Sequence, residues 1–266
     1  GLSQTEALDP FTTAANDTKV NDDGDQFEAQ YILEQERYNL VAGLAYSEID
    51  TRTDSSILIT NVFLPFPLLD VTETTKGDTE HKRGYAYSNI ELMDDVVATL
   101  GLSYDDYDEG PLEESDFYPK AGIQWQVNDG FKVRAAAFQT RKAPLVANRT
   151  VEPTQIAGFN QFFDDINATE STRYGVGFDW MPIANLTVGG EATWRDLEEP
   201  IFRPVEQDAI FEDRDEELHR AYLYWTPDSQ WAVTAELVYD LYEAEDGIAT
   251  EFDNLPKKVE TVSVPL

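Results

Sequence analysis

Residues 174–194 read YGVGFDWMPIANLTVGGEATW, and this stretch decides the predicted fold. Large apolar side chains occupy alternate positions from Tyr174 to Trp180, and the alternation resumes from Leu186 to Trp194 after a short turn at Pro182 to Asn185. Successive side chains of a β-strand point to opposite faces, so each half predicts a strand with one apolar and one polar face. The whole stretch therefore predicts an antiparallel hairpin.

The same pattern occurs five times along the chain. The other predicted hairpins pair Gln26 to Leu33 with Tyr38 to Tyr46, Arg83 to Leu92 with Val96 to Tyr104, Ala121 to Val127 with Phe131 to Ala137, and Leu218 to Trp225 with Trp231 to Leu241. Long polar connections separate the hairpins: Asp50 to Lys82, Asp105 to Asp116, Arg141 to Thr172, Asp196 to Glu217 and Glu243 to Pro256. Short turns on the periplasmic side and long loops on the outside are typical of a transmembrane β-barrel. The predicted fold class is all-β, an antiparallel up-and-down transmembrane barrel.

The predicted organisation has two parts. Residues 1–25 are expected to form an acidic N-terminal loop or linker, and residues 26–266 a partial outer-membrane barrel with long outer loops. The five hairpins supply ten strands, and an eleventh is expected near Lys257. Single-chain bacterial barrels have an even number of strands, so we expect a fragment of a barrel with at least about twelve strands.

Composition narrows the class of partner and the cellular location. The formal net charge of the 266 residues is -33, which would repel a nucleic-acid backbone, so no nucleic-acid partner is expected. Aromatic residues make up 12% of the chain, as expected for a barrel with interfacial girdles. No apolar run approaches the roughly 20 residues of a membrane helix, so only a barrel could cross a bilayer. The predicted location is the bacterial outer membrane, with its lipid as a partner.

The polar rows of the predicted strands are candidates for lining the barrel lumen. Because both signs of charge occur there, such rows could order water and select small polar solutes. The alternative is that these side chains only hydrate the interior or pair across neighbouring strands. The candidates are Gln124, Gln126, Lys132, Arg134, Arg173, Asp179, Glu191, Arg195, Glu236 and Asp240.

One predicted outer loop is unusually apolar. Residues 57–69 read ILITNVFLPFPLL, and Phe63, Leu64 and Phe66 are candidates for docking a partner or for constricting the lumen. A long outer loop rarely carries so many apolar groups unless they are buried. We expect the segment to pack inward or against a partner protein. A simple extension of the adjoining strand is the alternative.

Nothing in the sequence points to an enzyme or a cofactor. The chain has no Cys, and His81 and His219 lack a second ligand at metal-binding spacing, so no metal site is expected. Asn21 to Asp25 resembles a calcium loop only weakly, and an acidic turn is the preferred interpretation. No nucleophile elbow or phosphate-binding loop is present.

A central stretch resembles a known family. Tyr118 to Gly122 leads through the turn Asn128 to Gly130 into the R-A-containing strand at Arg134, and Arg141 to Leu145 forms an R-A-P-like exit. This order resembles the barrel of TonB-dependent receptors. The following Glu152 to Gln161 is similar to a variant in receptor-like barrels, some attached to tetratricopeptide repeats. The resemblance implies a receptor-like barrel. No plug domain or TonB-interacting segment is visible, and no binding residue is carried over.

Three functions stay open at this point. The first is an outer-membrane channel, export conduit or receptor for solute passage. The second is a structural anchor or partner-docking barrel in a cell-surface assembly, held to other envelope proteins by its outer loops or by flanking domains. The third is a soluble acidic β-sandwich.

Overall fold

The computed structural model describes residues 2–9, 11–146, 149–161, 164–203, 208–244 and 257–264, and within them it contains fourteen strands and no helix. The strands are β1 Leu2–Asp9, β2 Thr12–Glu34, β3 Asn39–Asn61, β4 Leu69–Met93, β5 Val96–Glu109, β6 Leu112–Asn128, β7 Phe131–Arg141, β8 Gln155–Ile156, β9 Phe159–Asn160, β10 Glu170–Ile183, β11 Leu186–Arg203, β12 Asp208–Trp225, β13 Val233–Ala244 and β14 Lys258–Ser263.

Twelve of these strands form one sheet in which each strand pairs antiparallel with the next along the chain. Only β8 and β9 stand apart, as a small hairpin between β7 and β10. The predicted up-and-down architecture is confirmed, with β14 as the predicted eleventh strand and β1 as an additional one. The alternative of a β-sandwich is wrong, since a sandwich needs two large sheets packed face to face and the described strands form a single layer.

The five short turns are confirmed, and the antiparallel order places them all at one end of the sheet. The turn between β6 and β7 is closed by Gly130, whose backbone N–H donates to Oδ1 of Asn128 at 3.0 Å. An Asp-Gly step allows the tight backbone that a two-residue hairpin requires. The turn between β10 and β11 is shorter than predicted, because β10 continues to Ile183.

At the other end, the predicted loops are mostly strand. Residues 1–25 are not a loop or linker, because β1 and most of the outer half of β2 lie there. Asp50 to Lys82 is a tall hairpin of β3 and β4, and Asp105 to Asp116 consists of the paired ends of β5 and β6 around a two-residue turn. Most of these segments are polar on both faces, so they pair as strands without the apolar alternation by which strands are recognised.

The other three predicted loops differ among themselves. Between Arg141 and Glu170 the chain forms a true long connection, and its described residues contain the short strands β8 and β9. Asp196 to Glu217 is largely strand, and its centre, residues 204–207, lies outside the described residues. Glu243 to Pro256 falls outside them from residue 245 onward.

The sheet has one apolar face and one polar face. The apolar face carries the exposed large hydrophobic side chains, and its aromatic residues lie in two bands. On β6 the bands are eight residues apart, which corresponds to about 26 Å of strand. At a strand tilt of about 40° this is a height of about 20 Å, comparable to the apolar band of about 25 Å on outer-membrane barrels. One band contains Tyr104, Phe117, Tyr174 and Trp194, and the band nearer the short turns contains Trp125, Phe131, Trp180 and Trp225. No helix long and apolar enough to span a bilayer occurs in the described part of the chain.

The main hydrophobic core lies on the polar face. The connection between β7 and β10 folds back over the sheet, and its buried residues Ile156, Ala157 and Phe159 pack against a patch of the sheet. That patch consists of Tyr85, Tyr87, Ala136 and Phe138. Two tyrosines of β4 therefore lie on the polar face, under the connection between β7 and β10. For this reason apolar and polar residues alternate less clearly in β4 than in the other predicted strands.

Candidate functional site

All ten candidate lumen residues lie on the polar face of the sheet. Cross-strand register places Gln124 beside Arg134, with Gly177 and Glu191 next in the same row. The next row on this face, closer to the short turns, runs from Gln126 through Lys132, Asp179, Gly189 and Tyr222 to Glu236. Residues directly opposite in an antiparallel pair share a face, so these positions project together. Asp240 lies on the same face, opposite Leu218.

Nearest the short turns, the charges are paired but partly open to solvent. Lys132 Nζ lies 3.4 Å from Asp179 Oδ2, and Tyr222 also donates a hydrogen bond to Asp179. Tyr224 donates to Glu236 at 2.9 Å. Asp240 is exposed. A solute moving along this part of the face would meet charges of both signs.

In the middle of the face, Glu191 lies between two arginines. Arg134 donates to it at 2.8 Å, and the Nε atom of Arg220 lies 4.0 Å away. Arg134 also donates to the backbone oxygen of Gly158, and its guanidinium lies 5.0 Å from the ring centre of Phe159. Arg134 thus joins the wall to the segment that covers it.

Arg173 and Arg195 sit directly opposite each other on β10 and β11, and both are buried. Arg195 donates to Glu216 at 2.7 Å and also bonds Asp165 of the covering connection. Arg173 donates to the backbone oxygen of Asn160 at 2.8 Å. Surrounding acceptors therefore allow two like charges to lie side by side in a buried row.

Residues 155–160, which we call the docked hairpin, fit a cradle lined by glycines of the sheet. A Cβ added at Gly122 would lie 2.5 Å from the Ala157 side chain, and one added at Gly175 would lie 2.7 Å from Phe159. Real Cβ atoms do not approach so closely. At the hairpin's own turn, Ala157 and Gly158 have positive φ angles of 48° and 88°, as a tight type of hairpin turn requires. The cradle therefore depends on the absence of side chains at two wall positions.

Above the docked hairpin, a buried ionic network ties the connection to β4 and β5. Arg83 pairs with Asp105 on β5 and, at 3.0 Å, with Glu152 of the connection. It also donates to the backbone oxygen of Arg141 at 2.8 Å. Tyr87 donates to Glu152, and His81 lies 2.7 Å from Asp105. With Arg83 only 5% exposed and Asp105 fully buried, one guanidinium is the shared ion-pair partner of two buried carboxylates.

Burial and charge compete in this network, which lies just beyond the outer aromatic band. Burial lowers the pKa of His81, which favours a neutral ring there despite its contact with Asp105. For Asp105, burial alone would raise the pKa, but the neighbouring Arg83 charge and the bond to His81 outweigh it and leave the pKa below its ordinary value. Asp105 therefore stays charged as the counter-ion of Arg83.

A second cluster surrounds Arg141, whose side chain is fully buried. Arg141 donates to the Tyr118 hydroxyl at 2.7 Å and pairs with Glu170, to which Tyr118 also donates at 2.8 Å.

Sequence reasoning missed the buried groups of both clusters. The sequence shows Arg141 only as part of the R-A-P-like exit, and His81 only as a histidine without a second metal ligand at binding spacing. Their partners lie far apart along the chain, so no local pattern could have shown them.

The apolar segment Ile57 to Leu69 does not pack inward. It forms the end of the tall β3–β4 hairpin, and Phe63, Leu64 and Phe66 are 72%, 39% and 61% exposed. The ring of Phe63 contacts Phe11, with ring centres 4.9 Å apart. The ends of the segment extend the adjoining strands, which is the alternative interpretation, and a lumen constriction stays a prediction. Docking of a partner stays a prediction.

A single-layered sheet with an apolar band about as tall as a bilayer core, and with charges on its other face, defines an arc of an outer-membrane β-barrel. Residues 2–211 match the model of the TonB-dependent receptor-like β-barrel. The chain belongs to this family, and it is a protein of the bacterial outer membrane. A search of curated proteins found no significant match.

Solved structures of receptors share the fold. The ferric yersiniabactin uptake receptor of Yersinia pestis is 15% identical, with a TM-score of 0.62, and the match covers 92% of this chain and 38% of the receptor. The FrpB iron transporter of Neisseria meningitidis is 11% identical, with a TM-score of 0.60 and coverage of 88% and 40%. The ferripyoverdine receptor of Pseudomonas aeruginosa is 14% identical, with a TM-score of 0.55 and coverage of 95% and 36%. The chain thus spans less than half the length of these receptors.

The assignment of the apolar and polar faces of the sheet leads to a first prediction. Leu237 lies on the apolar face, is 50% exposed and should contact lipid, so Leu237→Arg should destabilise the protein by about 2 to 4 kcal/mol. Asp240→Arg, on the polar face of the same strand, is the matched control and should cost much less. Denaturant unfolding of the full-length protein in lipid vesicles measures both. Equal losses would contradict the assignment of the faces. Glu191 also lies on the polar face but is unsuitable as the control. Its replacement would leave Arg134 and Arg220 without their carboxylate partner.

Proposed function

We propose that the chain forms the wall of an outer-membrane receptor whose lumen admits a small polar solute. The observation that carries this proposal is the open part of the polar face between the short turns and the docked hairpin, where Lys132 and Asp179 are 37% and 23% exposed. Charges of both signs along one face can bind a polar solute at successive places without holding it too tightly at any of them. The short turns face the periplasm and the tall hairpin faces outside. No enzymatic activity is part of the proposal.

The solute class is proposed from the structural neighbours. These neighbours include a receptor for ferric yersiniabactin, a receptor for ferripyoverdine and a transporter of ferric citrate. We propose a polar metal chelate as the solute, and ferric citrate is a simple probe for it. Arg220, which is 35% exposed beside Glu191 in the middle of the polar face, suits a chelate that carries carboxylates.

Cysteine labelling tests the proposal, because the natural chain has no Cys. In cells that express the full-length protein, an impermeant charged thiol reagent should label Asp240→Cys and spare Leu237→Cys, which should lie against lipid. A bulky reagent on Asp240→Cys should then lower the uptake of labelled ferric citrate severalfold. The same reagent on Thr75→Cys, exposed on the tall hairpin, should leave uptake unchanged.

Each outcome has a separate meaning. Equal labelling of Asp240→Cys and Leu237→Cys would contradict the lumenal position of the polar face. Normal labelling with no uptake of ferric citrate would remove this solute class. Uptake that persists after the bulky label is attached would show that the solute does not pass along this face.

A further inference from the structure

The end of the β3–β4 hairpin carries an exposed apolar surface that a role in solute passage does not explain. Val62 and Phe63 are 73% and 72% exposed, and Phe66 and Leu68 are 61% and 54% exposed. Phe11, at the start of β2, extends the surface through its ring contact with Phe63. We call these five residues the apolar tip. A contiguous exposed patch of large apolar groups usually marks an interaction surface.

The apolar tip lies far from the bilayer. On β3, fifteen residues from Ser47 to Asn61 separate the outer aromatic band from the tip, which is about 50 Å of strand. Even at a strand tilt of about 45°, the tip stands about 35 Å above the band. The tip therefore cannot be buried in the membrane that holds its own barrel.

The tip presents side chains rather than a free strand edge. Pro65 and Pro67 have no backbone N–H to donate to an added strand. The neighbouring donors are already used: the backbone N–H of Leu64 donates to the oxygen of Asn61 at 3.0 Å, and that of Leu68 to the oxygen of Ile59 at 2.7 Å. A partner would have to accept the side chains of the tip in pockets.

Charge determines which partner fits. Residues 11–25 and 48–82, which form the outer parts of β2, β3 and β4, contain eleven Asp and Glu but only four Lys and Arg. A second copy of the chain would bring two such acidic segments together, and an anionic lipid surface would also be repelled. A protein with basic residues around an apolar pocket would fit both features. Its pocket would bury the apolar tip, and its basic residues would be attracted to the acidic outer strands.

We propose that the apolar tip docks a separate protein outside the cell, one whose binding surface has an apolar pocket with a basic rim. Phe63 and Phe66 are the anchors, since they are the most exposed aromatic side chains of the tip and aromatic anchors dominate protein interfaces. Asp70 and Glu73, near the tip on β4, attract the basic rim. This proposal does not depend on solute uptake.

Site-specific photo-crosslinking in intact cells tests the proposal. A photoreactive amino acid at Leu68 of the full-length protein should give one protein adduct, and the same group at Thr75 should not. Phe63→Ser with Phe66→Ser should lower the adduct yield at least tenfold. Asp70→Lys with Glu73→Lys should lower it severalfold, and the crosslinked peptide of the partner should lie on a basic surface. Normal heat-modifiable migration on a gel checks that each variant has a folded barrel.

Four results would overturn the proposal. They are adducts only with lipid, adducts only with a second copy of the chain, no adduct at Leu68, and an adduct whose yield is unchanged by both double substitutions. Uptake of ferric citrate by the Phe63→Ser, Phe66→Ser variant is measured in the same cells. Because uptake and crosslinking are read separately, failure of one proposal is distinguishable from failure of the other.

Discussion

Arg83→Ala should lower the free energy of unfolding by about 3 to 5 kcal/mol, because it leaves two buried carboxylates without their shared counter-ion. Asp105 is fully buried and Glu152 is 3% exposed, so neither can recover its hydration in place. The expected result includes release of the connection between β7 and β10 from the polar face. Denaturant unfolding of the full-length protein in vesicles measures the loss of stability.

Arg37→Ala is the matched control for this prediction. Arg37 also pairs with a carboxylate, Asp94, at 3.4 Å, but the two side chains are 65% and 101% exposed. An exposed pair contributes little, so this variant should unfold like the unaltered protein. A compensated variant with Arg83→Met, Asp105→Asn and Glu152→Gln should recover much of the stability, since it removes both carboxylates together with the guanidinium that they share. Similar stability of Arg83→Ala and Arg37→Ala would show that the network contributes nothing.

Gly175→Leu should displace the docked hairpin while leaving the barrel folded. Even a single added Cβ would lie 2.7 Å from the ring of Phe159, which is only 1% exposed and cannot move aside within its core. Overpacking of this kind costs about 1 to 3 kcal/mol, and undocking also releases the bonds from Arg134 and Arg173 to the hairpin backbone. A cysteine at Ile156, which is fully buried, should become reactive to a thiol reagent only in the Gly175→Leu background.

Gly77→Ala provides the control for the glycine prediction. A Cβ at Gly77 would meet no atom within 4 Å, so this change should leave the Ile156→Cys probe protected. Heat-modifiable migration on a gel shows whether the barrel is intact in each variant. If Ile156→Cys stays protected in the Gly175→Leu protein, the cradle does not hold the hairpin in the way the geometry indicates.

Sequence reasoning located the membrane-level strands because one of their faces contacts an apolar medium. Val176 and Phe178 alternate with Gly177 and Asp179, and this alternation survives in the structure as the two faces of β10. The same reasoning failed above the membrane, where both faces of β2 to β4 meet water. A strand without an apolar face has no period-two pattern, so Asp50 to Lys82 was predicted to be a loop although it is mostly strand.

For the candidate site, too, the sequence predicted one part of the arrangement and the tertiary structure decided the other. Alternation alone placed Arg134, Arg173 and Glu191 on the polar face, and register confirms that they share it. Which of them form ion pairs was decided by the order and register of the strands in the sheet: Arg134 and Glu191 are 57 residues apart in sequence and pair across β10. The proposal of a polar lumen therefore rests on the sequence pattern, whereas the balance of charge along it rests on the tertiary structure.

The sequence by itself determined the all-β class, the five short turns and the division into an apolar and a polar face, because each follows from local alternation and turn chemistry. Only the tertiary structure decided that residues 155–160 dock on the polar face and that Arg83 is shared by Asp105 and Glu152. It also decided that the apolar tip is exposed rather than folded inward. The physical reason is that burial of a charge or a side chain depends on which distant segment covers it, and alternation along one strand carries no information about that segment.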